Sequence, residues 1–167
     1  MSRCIATSRF DAHTMSRGRY WFWRTNPRWW IISFIMGTAG ILVGIYLFAV
    51  EPRTPVPWLA TAAGLYFLLR YWLSGIQFRR TLRKHPQFNT TLNWTFDEEG
   101  LQVENEYGTS NSKWSAYLQT YTVRDGFLLF PQKGAFNWIP HSGFNSREDI
   151  ALVADILKRK TRNKRIS

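Results

Sequence analysis

The residues best suited to acid–base or nucleophilic chemistry are three histidines and one cysteine. In the segment "PHSG", His141 precedes Ser142, and such a pair suggests a base beside its nucleophile. Adjacent residues in a turn rarely direct both side chains to one point, and no acid adjoins them to orient the imidazole. His13 and His85 lie in a leader segment and at a helix end before a proline. We therefore expect His141 to belong to a turn leading into a helix, and no residue to be catalytic.

Short motifs with a mechanical reason for catalysis or cofactor binding are absent from the sequence. It contains no HExxH, no GxxxxGK[ST], no CxxC and no GxSxG. Cys4 is the only cysteine, which excludes an intramolecular disulfide and a cysteine-based metal cluster. We therefore expect no cofactor and no metal, and a protein that is not an enzyme.

Positive charge is concentrated in three segments of this chain, whose formal net charge is +11. Residues 1–28 carry six arginines against one acid, residues 70–87 carry five cations, and residues 158–167 carry six. Between the last two segments, residues 88–157 hold nine acids against four cations. The acids of "FDEEGLQVENEYG" (96–108) are expected in turns and on a solvated face. The predicted folded domain is thus acidic and its flanks are basic.

The basic flanks predict contact with a membrane surface. The tail "KRKTRNKR" can neutralise phosphates of nucleic acid, but it lacks the interleaved aromatic residues that stack on bases. Anionic lipid headgroups are the favoured partner over nucleic acid, and a merely solvated tail is the plain alternative. The predicted membrane-surface residues are Arg79, Arg80, Arg83, Lys84, Lys158, Arg159 and Lys160.

Two apolar runs predict a transmembrane hairpin over residues 29–76. Residues 29–50 are twenty-two residues without a charge, and residues 56–76 are interrupted only by Arg70. At roughly 1.5 Å per residue, each run can cross about 30 Å of hydrocarbon. Buried helices of a soluble protein are the alternative, but two such runs would exceed so small a core. The five residues between them allow only a tight turn, so the spans are expected to be antiparallel.

The flanking cations predict the orientation of this hairpin. Arg53 is the single cation of the connector, whereas basic residues precede the first span and follow the second as a juxtamembrane helix end (77–87). By the positive-inside rule, both termini are expected in the cytoplasm. Trp29, Trp30, Trp72 and Trp58 then fall near the two interfaces, as amphipathic rings prefer. The expected location is the inner (plasma) membrane of a bacterium, as a multi-pass protein.

Small residues recur on one face of each apolar run, a pattern that lets helix backbones approach closely. Packing within the hairpin and homodimerisation both remain open as the purpose of these faces. The predicted helix–helix packing residues are Ser33, Gly37, Gly40, Gly44, Ala60 and Gly64.

Residues 88–158 are expected to form a small antiparallel β domain. Short alternating segments separated by turn signals predict five to seven strands, and "RDG" (124–126) is the strongest hairpin signal. A helix with an apolar stripe follows, begun by a capping box from either Asn145 or Ser146. Residues 1–28 are expected to be a basic, disordered leader, unless translation begins at Met15, where "MSR" recurs. Residues 159–167 are expected to be a basic tail.

Three segments, in this order behind two apolar runs, give the chain a likeness to a known family: "WTFDEEGLQVENEYG", "SKWSAYLQTYTVRDGFLLF" and "NWIPHSGFNSREDIALVADILK". They resemble the YcxB-like family of small bacterial membrane proteins, over about residues 28–160. The resemblance implies a domain similar to the bacterial pleckstrin-homology-like fold, a bent antiparallel sheet capped by a helix. It implies no activity and no catalytic residues.

The fold class expected from the sequence is therefore α+β: a two-helix transmembrane hairpin, then a pleckstrin-homology-like β domain capped by an amphipathic helix. Pleckstrin-homology domains that bind phosphoinositides gather cations in a loop between early strands, whereas here that turn is "DEEG". We expect a non-catalytic binding, scaffolding or regulatory module at the membrane. The alternative is an accessory subunit of a transport or signalling assembly. Expected partners are the lipid bilayer and a homo-oligomer or another membrane protein.

Overall fold

The computed structural model describes residues 3–25 and 27–166, apart from the side chains of Trp29 and Tyr71. The class is α+β, as the sequence predicts. Short 3-10 turns occur at Trp114–Ala116 and His141–Gly143. The other elements are, in order, β1 (Cys4–Arg9), α1 (Ala12–Thr25), α2 (Pro27–Val50), α3 (Val56–Arg83), β2 (Thr91–Phe96), β3 (Gly100–Asn105), β4 (Gly108–Lys113), β5 (Gln119–Val123), β6 (Gly126–Gln132), β7 (Ala135–Pro140), α4 (Arg147–Lys160) and β8 (Asn163–Ile166).

The chain divides into two compact units. The β unit comprises the described residues of 1–25 and 82–167, and the helical unit comprises those of 26–81. The helical unit is therefore an insertion in the chain of the β unit, between β1 and β2. The β domain expected from the sequence was bounded at 88–158, because the apolar runs separate residues 1–25 from the rest of this unit.

The first sheet of the β unit has the strand order β1-β2-β3-β4, with every neighbouring pair antiparallel. In β2, Leu92, Trp94 and Phe96 alternate inward, which is the period-2 pattern that the sequence shows. The turn from β2 to β3 is built by Asp97, whose Oδ1 accepts hydrogen bonds from the backbone N–H groups of Glu99 and Gly100. The acidic turn is therefore ordered by its own first residue.

The second sheet has the strand order β7-β6-β5-β8 and is not purely antiparallel. β5 and β6 form the hairpin predicted from "RDG", with Val123 opposite Gly126. β8 pairs with β5 in parallel, from Thr120 opposite Asn163 to Val123 opposite Ile166. The boundary expected for a basic tail at 159–167 is thus corrected for the described residues: α4 continues to Lys160, and the chain then forms β8 beside β5.

α4 packs its apolar stripe into the core of the β unit. Ser146 is its N-cap, since its Oγ accepts a hydrogen bond of 3.0 Å from the backbone N–H of Asp149. Of the two cap residues left open by the sequence, Asn145 and Ser146, the structure uses Ser146. Val153, Ile156 and Leu157 are fully buried. They contact a cluster that also contains Trp94, Phe96, Leu101, Phe127, Leu129 and Ile139.

The expectation of a disordered leader over residues 1–28 is corrected by β1 and α1. β1 pairs with β2 along its whole length. α1 lies against β7 so closely that a Cβ on Gly18 would come 2.6 Å from the Cβ of Trp138. Trp21 is buried on the same face, and its indole Nε1 donates to Asp125 Oδ2 at 3.3 Å. The described part of this segment supplies an edge strand and a covering helix to the β unit.

In the helical unit, α2 and α3 follow the two apolar runs, and residues 51–55 connect them. α3 continues to Arg83, as the sequence predicts for the juxtamembrane segment. Among the described residues, Trp30–Val50 is the one helical segment that is long and apolar enough to cross a membrane. A further apolar helical stretch, Val56–Arg70 of α3, is shorter. By this criterion, a second span is not established.

Candidate functional site

The outer surface of the helical unit is apolar and exposed. Only 11% of the most apolar stretch of Trp30–Val50 is buried. Large side chains on both helices have half or more of their area exposed, including Phe34 at 59%, Tyr46 and Trp58 at 67%, and Trp72 at 73%. A soluble protein rarely exposes a contiguous apolar surface of this kind, and such surfaces mark contacts with membranes or partners.

The predicted small-residue faces lie where α2 and α3 contact each other. A Cβ on Gly40 would lie 3.0 Å from the Cα of Gly64, and one on Gly37 would lie 2.6 Å from the Leu68 side chain. At the connector end of the pair, a Cβ on Gly44 would collide with Oγ1 of Thr61. The carbonyl of Ala60 lies beside Gly40, and Ser33 is half-buried on α2. The structure thus places these faces within one chain.

The predicted membrane-surface cations occupy two places. Arg79, Arg80 and Arg83 are exposed on the last turns of α3, and Lys84 is exposed directly after it. Lys158, Arg159 and Lys160 form the last turn of α4, where cations also favour the negative end of the helix dipole. Membrane contact by either group stays a prediction.

Glu98, in the acidic turn between β2 and β3, binds two of these cations. Its carboxylate lies 2.9 Å from Arg159 Nη2 and 3.2 Å from Lys160 Nζ. Hydrogen bonds from Arg159 and then from Lys160 lower the pKa of Glu98 below its usual value. Arg159 also binds Asp155 one turn earlier on α4. These two cations therefore join the helix end to the first sheet, a role that the sequence does not reveal.

His141 is held in the turn between β7 and α4, as expected. Its Nδ1 lies 3.1 Å from the carbonyl oxygen of Arg124, which makes Nδ1 the protonated nitrogen. Its Nε2 is buried without a hydrogen-bond partner among the described residues. The ring also packs edge-on against Phe127 at 4.9 Å between centroids. The imidazole is thus fixed by backbone and core contacts, whereas the neighbouring Ser142 is exposed.

Cys4 is buried on β1, with its Sγ 3.8 Å from the carbonyl oxygen of Asp149. Burial, and then the nearby Asp149 charge, raise the pKa of this thiol to about 11. The thiol is therefore protonated at neutral pH and is a poor nucleophile. Within the described residues, no group of three or more His, Cys, Asp or Glu side chains is placed to hold a metal.

A groove between α4 and the β5–β8 edge was not foreseen from the sequence. Its volume is about 1020 Å³, and α4 contributes one wall. Four cations line it, namely Arg124, Arg147, Lys158 and Arg165, together with the carboxylate of Asp155. Of these residues, only Lys158 was predicted from the sequence to belong to a binding surface. The available signal was a second row of residues on α4, beside the apolar row that packs into the core. β8 carries no alternating pattern, so the sequence did not indicate that Arg165 lies opposite this second row.

A second opening, of about 420 Å³, lies between β4 of the first sheet and β7 of the second. Aromatic side chains line it together with amides and hydroxyls, and no charged residue lines it among those described. Its main aromatic residues are Trp94, Tyr117, Phe136 and Trp138. The sequence placed these residues on strands but did not indicate an opening between them.

These features define an α+β protein in which a β unit with two sheets is interrupted, after β1 and α1, by an apolar helical pair. Residues 96–157 match the model of a family described as YcxB-like protein. The resemblance indicated by the sequence motifs is confirmed for this segment, which runs from the last residue of β2 into the last turn of α4. No curated protein and no solved structure matches the chain.

Proposed function

We propose that this protein is an integral membrane protein whose α2–α3 pair is a two-span hairpin carrying a non-catalytic binding module. The observation that carries this proposal is the exposed apolar surface of both helices. Exposure of these apolar side chains to water costs about 25 cal/mol per Å², and contact with hydrocarbon removes this cost. The core helix of a soluble protein would bury them.

The second span is supported by the length and packing of α3. Its apolar sequence resumes after Arg70 and continues to Ile76, and the long Arg70 side chain can reach the headgroup region. Glycines at the contact allow α3 to pack directly against α2, so we expect the two helices to enter a bilayer together. The excess of cations at the ends away from the connector favours both termini in the cytoplasm of a bacterial cell, at the inner membrane.

The proposed β module is pleckstrin-homology-like and acts by binding, scaffolding or regulation. Such a fold requires a four-strand meander, three further antiparallel strands and a C-terminal helix, in this order. The β unit has β1–β4, β5–β7 and α4 in the same order. The fixed imidazole of His141 and the protonated thiol of Cys4 support a role without catalysis. The acidic β2–β3 turn argues against inositol-phosphate recognition there.

Thiol labelling in intact cells tests the two-span arrangement. In a Cys4→Ala background, Thr54→Cys places the single thiol in the connector, and Ser115→Cys places it in an exposed turn of the β unit. We expect a membrane-impermeant maleimide to label the connector thiol in intact cells and the Ser115→Cys thiol only after lysis. Labelling of both thiols only after lysis would contradict the hairpin topology.

Fractionation tests membrane integration itself. We expect the full chain to remain in the membrane pellet after alkaline carbonate extraction and to be released by detergent. The control replaces residues 26–81 with a flexible Gly/Ser linker and should fractionate with soluble proteins. Release of the full chain by carbonate would contradict integration.

A further inference from the structure

The groove between α4 and the β5–β8 edge has an apolar floor. On α4, Ile150, Ala151 and Ala154 line it at helical spacing, and Val123 and Ile166 line it from the strands. The two alanines leave room that larger side chains would fill. An occupant with apolar groups would therefore bury them here without displacing any side chain of the core.

The rim of the groove is cationic and available. Within the described part of the chain, no ion pair engages Arg124, Arg147, Lys158 or Arg165, and all four are exposed. The one carboxylate in the lining, that of Asp155, is bound by Arg159. The groove lining therefore presents four cations and a single carboxylate that already has a cationic partner, which makes the groove a local positive region.

The spacing of the cations distinguishes between anionic ligands. Arg147 and Lys158 are eleven residues apart on α4, or roughly 16 Å at 1.5 Å per residue. A phosphate or a single lipid headgroup requires cations that converge on one point. Cations at both ends of an apolar floor instead suit an elongated ligand with several negative charges and apolar groups between them.

β8 adds a further means of binding such a ligand. It is the edge strand of the second sheet, so its outer backbone groups have no strand partner among the described residues. An extended peptide can pair with an exposed edge and insert alternate side chains into an adjoining groove. A peptide segment thus matches both the shape and the hydrogen-bonding capacity of this surface.

We propose that the groove between α4 and β8 binds an acidic, partly apolar peptide segment of a partner protein. The proposal rests on the proposed function in taking the β unit as a binding module, and it names the class of partner. The apolar side chains of the segment lie on Ile150, Ala151 and Ala154, and its carboxylates bind the rim cations.

Selection from a random-peptide library displayed on phage, against the detergent-purified full chain, tests this proposal. We expect enrichment of peptides that combine Asp or Glu with apolar residues. Synthetic copies of these peptides should bind the wild-type chain in fluorescence anisotropy. Failure to enrich acidic peptides would overturn the proposal.

Two kinds of variant locate the binding. Arg147→Glu with Lys158→Glu should weaken the affinity for the selected peptides by about tenfold or more. Ala151→Trp should weaken it similarly, without a change of charge, by filling the floor. Lys113→Glu with Lys133→Glu makes the same charge change at exposed positions outside the groove and should leave the affinity unchanged. Equal weakening by both charge pairs would overturn the proposal, because it would indicate non-specific attraction.

Soluble dihexanoyl-phosphatidylglycerol is the probe for the competing ligand. Groove-dependent binding of this lipid, with no peptide enriched, would overturn the peptide assignment in favour of a lipid surface. Because binding is measured on detergent-purified protein, these results are independent of where the chain resides in the cell. Fractionation tests the membrane proposal separately.

Discussion

His141 illustrates how burial decides the protonation state of a side chain. Desolvation lowers the pKa of His141, although the hydrogen bond to the Arg124 carbonyl opposes this shift. The unfolded chain binds this proton near the ordinary value of 6.5, whereas the folded chain binds it only at lower pH. The free energy of unfolding therefore falls as the pH decreases below about 6.5. Protonation would place a charged Nε2–H where it has no partner.

We expect His141→Asn to reduce this pH dependence. The asparagine amide can still donate to the Arg124 carbonyl, but it does not titrate. Between pH 7.5 and 5.5, the Tm of the wild-type chain should fall further than that of the variant in thermal unfolding. His85→Asn, at an exposed histidine, should retain the wild-type slope. An unchanged slope in His141→Asn would show that other groups control the pH response.

At the same scale, the sequence predicted the positions of single residues better than their partners. Ser146 was one of two proposed caps because capping depends on local spacing alone. The ion pairs of Glu98 with Arg159 and Lys160 join residues about 60 positions apart in sequence. Only the packing of α4 beside the β2–β3 turn brings them together. The same limit hid Arg124 and Arg165 as neighbours in the groove.

The α2–α3 pair shows how glycine acts as a spacer between whole elements. Where Gly40 faces Gly64, the backbones approach so closely that an added Cβ would contact a Cα at 3.0 Å. Without side chains at these positions, van der Waals contact between backbones replaces ordinary side-chain packing. Phe48 and Trp58 close the connector end of the pair, with ring centroids 4.8 Å apart.

Gly40→Ile should separate the two helices. Overpacking of this kind typically costs about 1–3 kcal/mol, and here the added side chain would collide with the backbone of α3 at Gly64. In a Cys4→Ala chain with Phe48→Cys and Trp58→Cys, we expect the variant to lower the yield of the interhelical disulfide. Ala39→Ile, on an exposed position of α2, is the matched control and should preserve it. Equal yields would show that the glycine contact does not hold the pair together.

Elements with an apolar pattern, or with turn signals on both sides as for β4, were predictable, whereas β1, α1 and β8 were not. β2 to β7 and α4 follow the strands and helix expected from pattern and turn signals. β1 was missed because its inward positions, Cys4, Ala6 and Ser8, are small, while its most apolar residue, Ile5, is 54% exposed. Its pattern therefore indicates no buried strand. α1 was missed because its contact with β7 depends on Gly18, where the sequence carries no apolar signal.

At the scale of the whole molecule, the helical unit is inserted within the β unit. Residues 1–25 and 82–167 form one compact unit although the chain separates them. β1 covers the edge of β2, and α1 covers β7, so neither half has a complete core. Each large apolar side chain that they bury contributes about 1.5–3 kcal/mol.

Two matched proteins test this organisation. The first joins residues 1–25 to 82–167 through a flexible linker, and the second is the fragment 88–167 alone. We expect the joined protein to be soluble, with a cooperative thermal transition and near-ultraviolet circular dichroism from its buried tryptophans. The fragment should aggregate or lack that signal, because the loss of β1 and α1 exposes Trp94 and Trp138. Equal folding of both proteins would show that residues 1–25 are dispensable.

The position of the insertion also orders events during synthesis. The ribosome completes β1 well before it makes β2, and the apolar helices emerge between them. If those helices enter the bilayer as they are made, β1 waits unpaired until the translocation machinery has released the hairpin. Pairing of β1 with β2 therefore cannot begin before both helices have been made, and until then the first sheet keeps an open strand edge.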